Sequence, residues 1–284
     1  MAAISPVTGR YIDVEVAGHV YPVFYLENGN GIPLLCQHTA GCHNHQWRNL
    51  LRDQQVTEHF RVIAYDLPYH GKSDPPPGKE WWKEQYDLTS DFFTEFIVRF
   101  SEALELDRPV FIGSSMGGVV CLYLARNYPE RFRALIALEA ADYTPGFYVD
   151  WWAHPEVEGR ELIAGVVEGL MAPHTAEADR RLTMWYYSQC APGVVKGDLY
   201  FYSVEHDMRD TVSEIDTGKV PLYMLTGEYD YLSTPAQTEA TAAKIPGTKM
   251  QTMWEIGHFP MSEDHSRFMT YLNPILDEIR SKYG

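Results

Sequence analysis

The segment "VFIGSSMGGVV" (Val110–Val120) sets Ser115 at the centre of a G-x-S-x-G pattern, Gly113-Ser114-Ser115-Met116-Gly117. An apolar run enters it and another leaves it; a strand precedes it and a helix follows, the context in which this pattern marks a nucleophile. A side chain held at so sharp a turn has a strained backbone, and the chain must approach itself closely on either side. Gly113 and Gly117 meet that need, and Gly118 extends the clearance where the helix packs on the sheet. The helix start favours developing negative charge, so the Met116 N–H is a candidate oxyanion donor. Ser114 is the variable position and is assigned local packing or hydrogen bonding.

A lone G-x-S-x-G arises by chance in many chains, so its partners decide. A serine nucleophile needs a base, and the base needs an orienting acid. The motif predicts the chain order Ser, then Asp or Glu, then His. "YMLTGEYDYLSTP" offers Asp230 just beyond a strand, with Glu228 as local competitor. "MWEIGHFPMSED" offers His258 on a Gly-His turn before the last helix. A second oxyanion donor is expected from the loop His38-Thr39-Ala40-Gly41, with the Ala40 N–H first and Thr39 as the alternative. The same loop carries His43 and His45, but no carboxylate or cysteine set completes a tetrahedral metal site there. No metal and no cofactor are expected. "DLPYHGKSDPPP" is assigned a supporting turn built on His70, Gly71 and Ser73.

These groups need a frame. From about residue 20, short apolar runs alternate with amphipathic ones. Strands are read at His19–Gly31, Ile32–Thr39, Phe60–Pro68 and "RPVFIGS", then at "FRALIALEA", "VPLYMLTGEYD" and "TKMQTMWEIGH". Leu88–Leu106 has helical spacing, with Phe92, Phe96, Ile97 and Phe100 on one face and Ser90 as the expected N-cap. Further helices are read at "MGGVVCLYLARNYPERF", "TPAQTEATAAKI" and the C-terminus. Apolar strands alternating with helices imply a mainly parallel sheet covered on both faces, with site residues at the carboxyl ends of its strands.

One aromatic-rich segment interrupts the alternation. The division expected is a core of residues 1–141 and 210–284, with a partly helical cap at 142–209. Its aromatics fill its own small core and line an apolar pocket. His38, Trp151, Trp152, Trp185 and Tyr186 are the candidate pocket residues.

The bulk composition bounds the partners. The formal net charge of −16 argues against nucleic acid and anionic membrane surfaces. Four scattered cysteines, Cys36, Cys42, Cys121 and Cys190, read as reduced thiols. No signal-peptide pattern and no apolar run of membrane-spanning length stands out, so a cytoplasmic protein is expected. The expected partner is a small-molecule substrate. Monomer and homodimer both remain open.

Together, the His38 loop, "DLPYHGKSD", "GSSMGG", "LTGEYDYLSTP" and "GHFPMSED" closely resemble the α/β-hydrolase superfamily from about residue 20 to the end. The resemblance implies an eight-stranded, mostly parallel sheet with a cap inserted after the sixth strand. It implies Ser115 as nucleophile, Asp230 as acid and His258 as base. Many members have His-Gly where this chain has His38-Thr39. The serine separates the chain from the haloalkane dehalogenase and epoxide hydrolase branches, which resemble this layout but use a carboxylate nucleophile. The implied activity is hydrolysis of a carboxylic ester. Thioester, lactone and acyl-transfer reactions use the same three residues. Carbon–carbon bond hydrolysis of a diketone or ring-fission product is the alternative, although the Gly-Pro-Gly-type oxyanion loop of that branch is absent and only Arg48 stands near to bind a carboxylate. A ligand receptor on a hydrolase scaffold is the non-enzyme alternative.

Overall fold

A computed structural model describes residues 4–86 and 88–283. Eight strands form one sheet: β1 (Thr8–Val16), β2 (His19–Asn28), β3 (Ile32–Gln37), β4 (Phe60–Tyr65), β5 (Val110–Ser114), β6 (Ala134–Leu138), β7 (Leu222–Gly227) and β8 (Lys249–Met253). Their spatial order is β1-β2-β4-β3-β5-β6-β7-β8. β1 and β2 are an antiparallel hairpin and β2 meets β4 antiparallel; every other pairing is parallel. The eight-stranded, mostly parallel sheet is the expected one.

β1 is an addition to the sequence reading. Most of its residues are exposed, and it is an edge strand, so it lacks the apolar run that marks the central strands. β5, β6 and β7 are buried along their whole length. That is what a parallel sheet covered on both faces demands.

Nine α-helices accompany the strands among the described residues: α1 (Gln54–Thr57), α2 (Ser90–Ala103), α3 (Met116–Asn127), α4 (Gly159–Leu170), α5 (Glu177–Tyr187), α6 (Pro192–Tyr200), α7 (Pro235–Ala242), α8 (Pro260–Glu263) and α9 (His265–Tyr283). The N-cap of α2 is Thr89 rather than Ser90: the Thr89 side chain accepts the Phe92 N–H, while the Ser90 hydroxyl donates to Glu205. Phe96, Ile97 and Phe100 are buried as expected, Phe92 is half-buried and stacks on Phe96, and Phe93 joins them in the core. Among these described residues no helix is long and apolar enough to cross a membrane.

The chain leaves β3 toward β4 on one side and returns to β5 on the other. The ends of β3 and β5 therefore flank the point where the strand order reverses, and Gln37 lies level with Gly113 there. A crevice opens outside the carboxyl ends of strands at such a point. The loop after β3 and the turn after β5 enter it side by side. Helices α4, α5 and α6 all belong to the excursion between β6 and β7.

Candidate active site

Ser115 joins β5 to α3 with φ +56° and ψ −115°, a conformation that L residues rarely adopt. Its own N–H is held by the Leu138 carbonyl at 2.9 Å. The turn is possible because two glycines lack a Cβ. One added at Gly113 would lie 2.2 Å from the Gly117 carbonyl oxygen, and one at Gly118 would lie 2.1 Å from the Leu138 oxygen. At Gly117 the nearest atom would be 3.2 Å away, a milder constraint than the motif suggests. Ser114 is fully buried, and its hydroxyl has no partner among the described residues, so it packs without hydrogen bonding.

His258 follows β8 and Asp230 follows β7, and both are buried. His258 Nδ1 lies 2.9 Å from Asp230 Oδ1. The approach is close but bent, because the ring N–H is not aimed squarely at that oxygen. The Leu232 and Ser233 N–H groups donate to the same Oδ1 at 2.7 and 3.3 Å. Burial pushes the Asp230 carboxyl up, but the adjacent His258 and these hydrogen bonds outweigh it and hold the group below the usual carboxylate range. Glu228, the local competitor, is half-buried and instead accepts the Glu255 N–H at 2.9 Å.

A residue that sequence reasoning passed over completes this cluster. Glu139 lies just past β6 with φ +53° and is fully buried. Both of its oxygens receive the Gly227 N–H, at 3.1 and 3.0 Å. Donor atoms of Glu139, Asp230 and His258 all lie within 4.8 Å of one another. Burial, and next the Asp230 charge, push the Glu139 carboxyl well above its ordinary value. That shift favours the protonated form of Glu139 beside the Asp230 carboxylate, whose buried Oδ2 has no other partner among the described residues. The available signal was one acidic residue at the end of the run Ala134–Ala141, which is otherwise entirely apolar.

Ser115 and His258 open into one cavity of about 80 Å³, with Thr39 and Ala40 on its wall. The Ala40 and Met116 N–H groups have no protein partner among the described residues. Thr39 is different: its N–H already donates to Gln46 Oε1 at 2.9 Å.

Of the five candidate pocket residues, only Trp152 lines this cavity. His38 is buried beneath the loop. Its Nδ1 donates to the Thr39 carbonyl at 2.8 Å and its Nε2 accepts the Leu67 N–H at 3.1 Å. Burial, reinforced by neighbouring His70, holds its ring well below the ordinary histidine value, so it is neutral. Trp151 and Trp185 are exposed, and Tyr186 faces a separate hollow beside His45 and Arg48. The cavity wall comes instead from Ile163, Val166, Val167 and Leu170 on α4, Tyr187 at the end of α5, and Leu199 on α6. On α4 the helical spacing of these residues in "GRELIAGVVEGLM" was a usable signal.

No lysine or arginine lines the cavity. Arg48 is paired with Asp179 at 2.9 Å and stands over the Tyr186 ring. His43 and His45 stack edge to face on Tyr186, apart from the Ser115 cavity. In "DLPYHGKSD", Gly71 has φ +52° and leaves room for the Asp66 carboxylate, while Ser73 bridges the Phe24 N–H and the Asp66 carbonyl.

Comparison with known proteins adds the lineage. A family model described as the alpha/beta hydrolase fold matches residues 32–168. The chain is 29% identical to a 2-hydroxy-6-oxo-2,4-heptadienoate hydrolase of Pseudomonas putida, across 87% of this chain and 90% of that protein. It superposes on a thermophilic esterase from Thermogutta terrifontis with a TM-score of 0.81 and 21% identity, covering 95% of this chain and 99% of the other. For the enol-lactonase of Burkholderia xenovorans the TM-score is 0.80 and the identity 20%, with 94% and 100% covered.

Proposed function

Because this chain belongs to the α/β-hydrolase superfamily, we propose that it is a serine hydrolase cleaving a carboxylic ester of a small, apolar or aromatic substrate through an acyl-enzyme. The observation that carries the reading is one apolar cavity holding Ser115 and His258 together with Ala40. In this reading Ser115 Oγ attacks the ester carbonyl while His258 Nε2 takes its proton. Asp230 fixes the Nδ1–H tautomer and stabilises the imidazolium. The Met116 and Ala40 N–H groups receive the oxyanion. His258 then returns the proton to the departing alcohol. Water, activated by the same ring, releases the acid.

The segment between β6 and β7 acts as the cap. Its α4, α5 and α6 side chains supply much of the apolar wall, which favours a short uncharged acyl group. That wall also weighs against the carbon–carbon alternative. A ring-fission product brings a carboxylate, and a buried carboxylate without a cation costs several kcal/mol.

The test is covalent labelling of Ser115 by a fluorophosphonate, with turnover of p-nitrophenyl butyrate measured in wild type and Ser115→Ala. Labelling at Ser115 and a loss of kcat on the order of 10⁴- to 10⁶-fold in the variant are expected. Wild-type turnover by the variant would end the reading. Tight binding of the ester with no turnover in wild type would point to a receptor.

A further inference from the structure

The loop that carries Ala40 is gripped on both sides by the inserted segment. On one side stands α6. Asp198 Oδ2 accepts the Gly41 N–H at 2.7 Å, and Val195 packs so closely that a Cβ on Gly41 would lie 2.5 Å from its Cγ2. Gly41 has φ +65°, so the turn and the close approach both require glycine there. On the other side stands Tyr187 at the end of α5. Its hydroxyl hydrogen-bonds the Thr39 hydroxyl. Gln46 Nε2 donates to that Tyr187 hydroxyl at 3.1 Å, while Gln46 Oε1 receives the Thr39 N–H and hydroxyl at 2.9 and 3.2 Å. The protons run around a closed ring in which each donor has one acceptor: Gln46 to Tyr187, Tyr187 to Thr39, Thr39 back to Gln46.

The Asp198 grip has its own support. Asp198 and His70 are both fully buried, with His70 Nε2 2.8 Å from Asp198 Oδ2. The other ring nitrogen, Nδ1, faces the Pro68 carbonyl at 3.0 Å. Both ring nitrogens meet acceptors, so both carry protons and the ring is cationic. A carboxylate this deep is tolerated only when paired, and His70 and the Gly41 N–H both meet its Oδ2, while Oδ1 has no partner among the described residues.

We propose that Asp198 and Tyr187 are positioning residues that hold Thr39 and Gly41 from either side, so that the Ala40 N–H between them is fixed as an oxyanion donor. The inserted segment then completes the oxyanion hole as well as walling the pocket. The inference rests on the serine-hydrolase reading.

The test compares Asp198→Ala, Asp198→Asn and Tyr187→Phe with wild type, using Ser115→Ala as reference. The readouts are kcat and KM on p-nitrophenyl butyrate, inhibition by phenylboronic acid, and amide exchange over residues 39–42. Losing one oxyanion donor outright costs about 10²- to 10³-fold in kcat, so a loosened donor should cost about tenfold to a hundredfold. Asp198→Ala and Tyr187→Phe should show that loss with KM changed by less than about threefold, since the interaction is made in the transition state. Boronate affinity should fall with kcat/KM, and exchange over residues 39–42 should rise. Asp198→Asn keeps an oxygen for the Gly41 N–H but removes the charge that faces His70, so its rate should fall between those of Asp198→Ala and wild type. Unchanged kcat in both Asp198→Ala and Tyr187→Phe, or a rise in KM alone, overturns the proposal. Should Asp198→Ala fail to fold, Tyr187→Phe decides by the same measures. Turnover retained by Ser115→Ala ends the serine reading, and the donor role falls with it. Amide exchange still reports separately whether the two grips exist.

Discussion

The carboxyl groups of Glu139 and Asp230 lie within 4.8 Å of each other, both buried, and their closeness favours a proton on one of them. The proton is favoured on Glu139, because Asp230 has His258 and two backbone N–H groups to stabilise its charge. Replacing Glu139 by Gln preserves an oxygen for the Gly227 N–H and an N–H for Asp230, so kcat should stay within about tenfold of wild type. Glu139→Ala strands both groups and should lower stability by about 1–3 kcal/mol for each.

The same pair fixes a dependence on pH. Glu139 is raised in the folded chain, so above its ordinary value of 4.5 the native state binds a proton that the unfolded state has released. Its stabilising contribution is complete below that value and declines as pH rises, by up to about 1.4 kcal/mol per pH unit. Glu139→Gln removes this decline. Denaturant unfolding of the two proteins from pH 5 to 8 should therefore show the variant gaining on wild type; parallel curves would mean that Glu139 is ionised.

A buried histidine gives the opposite slope. His206 donates from Nε2 to the Ala141 carbonyl at 2.9 Å, and burial lowers its value to about 4. Between the ordinary value of 6.5 and about 4, the unfolded chain binds a proton that the folded chain refuses. Stability from this site is present above 6.5 and is lost on acidification. His206→Gln should lose less than wild type over that interval, by up to about 3 kcal/mol. Urea midpoints at pH 7 and pH 4.5 measure the difference.

The glycines of the turn should not be equivalent. Gly113→Ala and Gly118→Ala each drive a Cβ into a backbone carbonyl, at 2.2 and 2.1 Å. Each should cost about 3 kcal/mol or prevent folding. Gly117→Ala meets its first neighbour at 3.2 Å and should be tolerated far better. Thermal unfolding of the three variants gives the order, and an equal loss in all three would contradict the packing described.

Substrate charge should discriminate sharply. With no lysine or arginine on the cavity wall, p-nitrophenyl butyrate should exceed p-nitrophenyl hemisuccinate in kcat/KM by at least about a hundredfold. The net charge of −16 adds a repulsion that salt screens, so added salt should raise kcat/KM for the anionic ester and leave the neutral one level. Comparable values for the two esters would exclude the neutral-substrate assignment.

Much of this arrangement was legible before the fold. Ser115, Asp230 and His258 each follow a short apolar run and a local turn, so their neighbourhood could be read from a few adjacent residues. The pocket could not. Trp185, Tyr186 and Tyr187 are consecutive on α5, where successive side chains diverge by about 100°. One is exposed, one faces a second hollow and one enters the Ser115 cavity. Composition cannot separate three aromatic neighbours that point three ways; only the docking of α5 does. Asp198 was invisible for the same reason, since its partners Gly41 and His70 are more than a hundred residues away in the chain.

The two grips on the Ala40 loop bear on how this protein could be recombined with its relatives. An insertion between β6 and β7 looks exchangeable, because the sheet closes without it. Here such a graft would have to bring an acid for the Gly41 amide and His70, and a hydroxyl for Thr39. A donor segment lacking them would leave a buried imidazolium without its counter-ion and a loop without its anchors. The excursion and the β3 loop therefore form one transplantable unit, and chimaeras that divide them should be made with His70, Thr39 and Gln46 exchanged alongside.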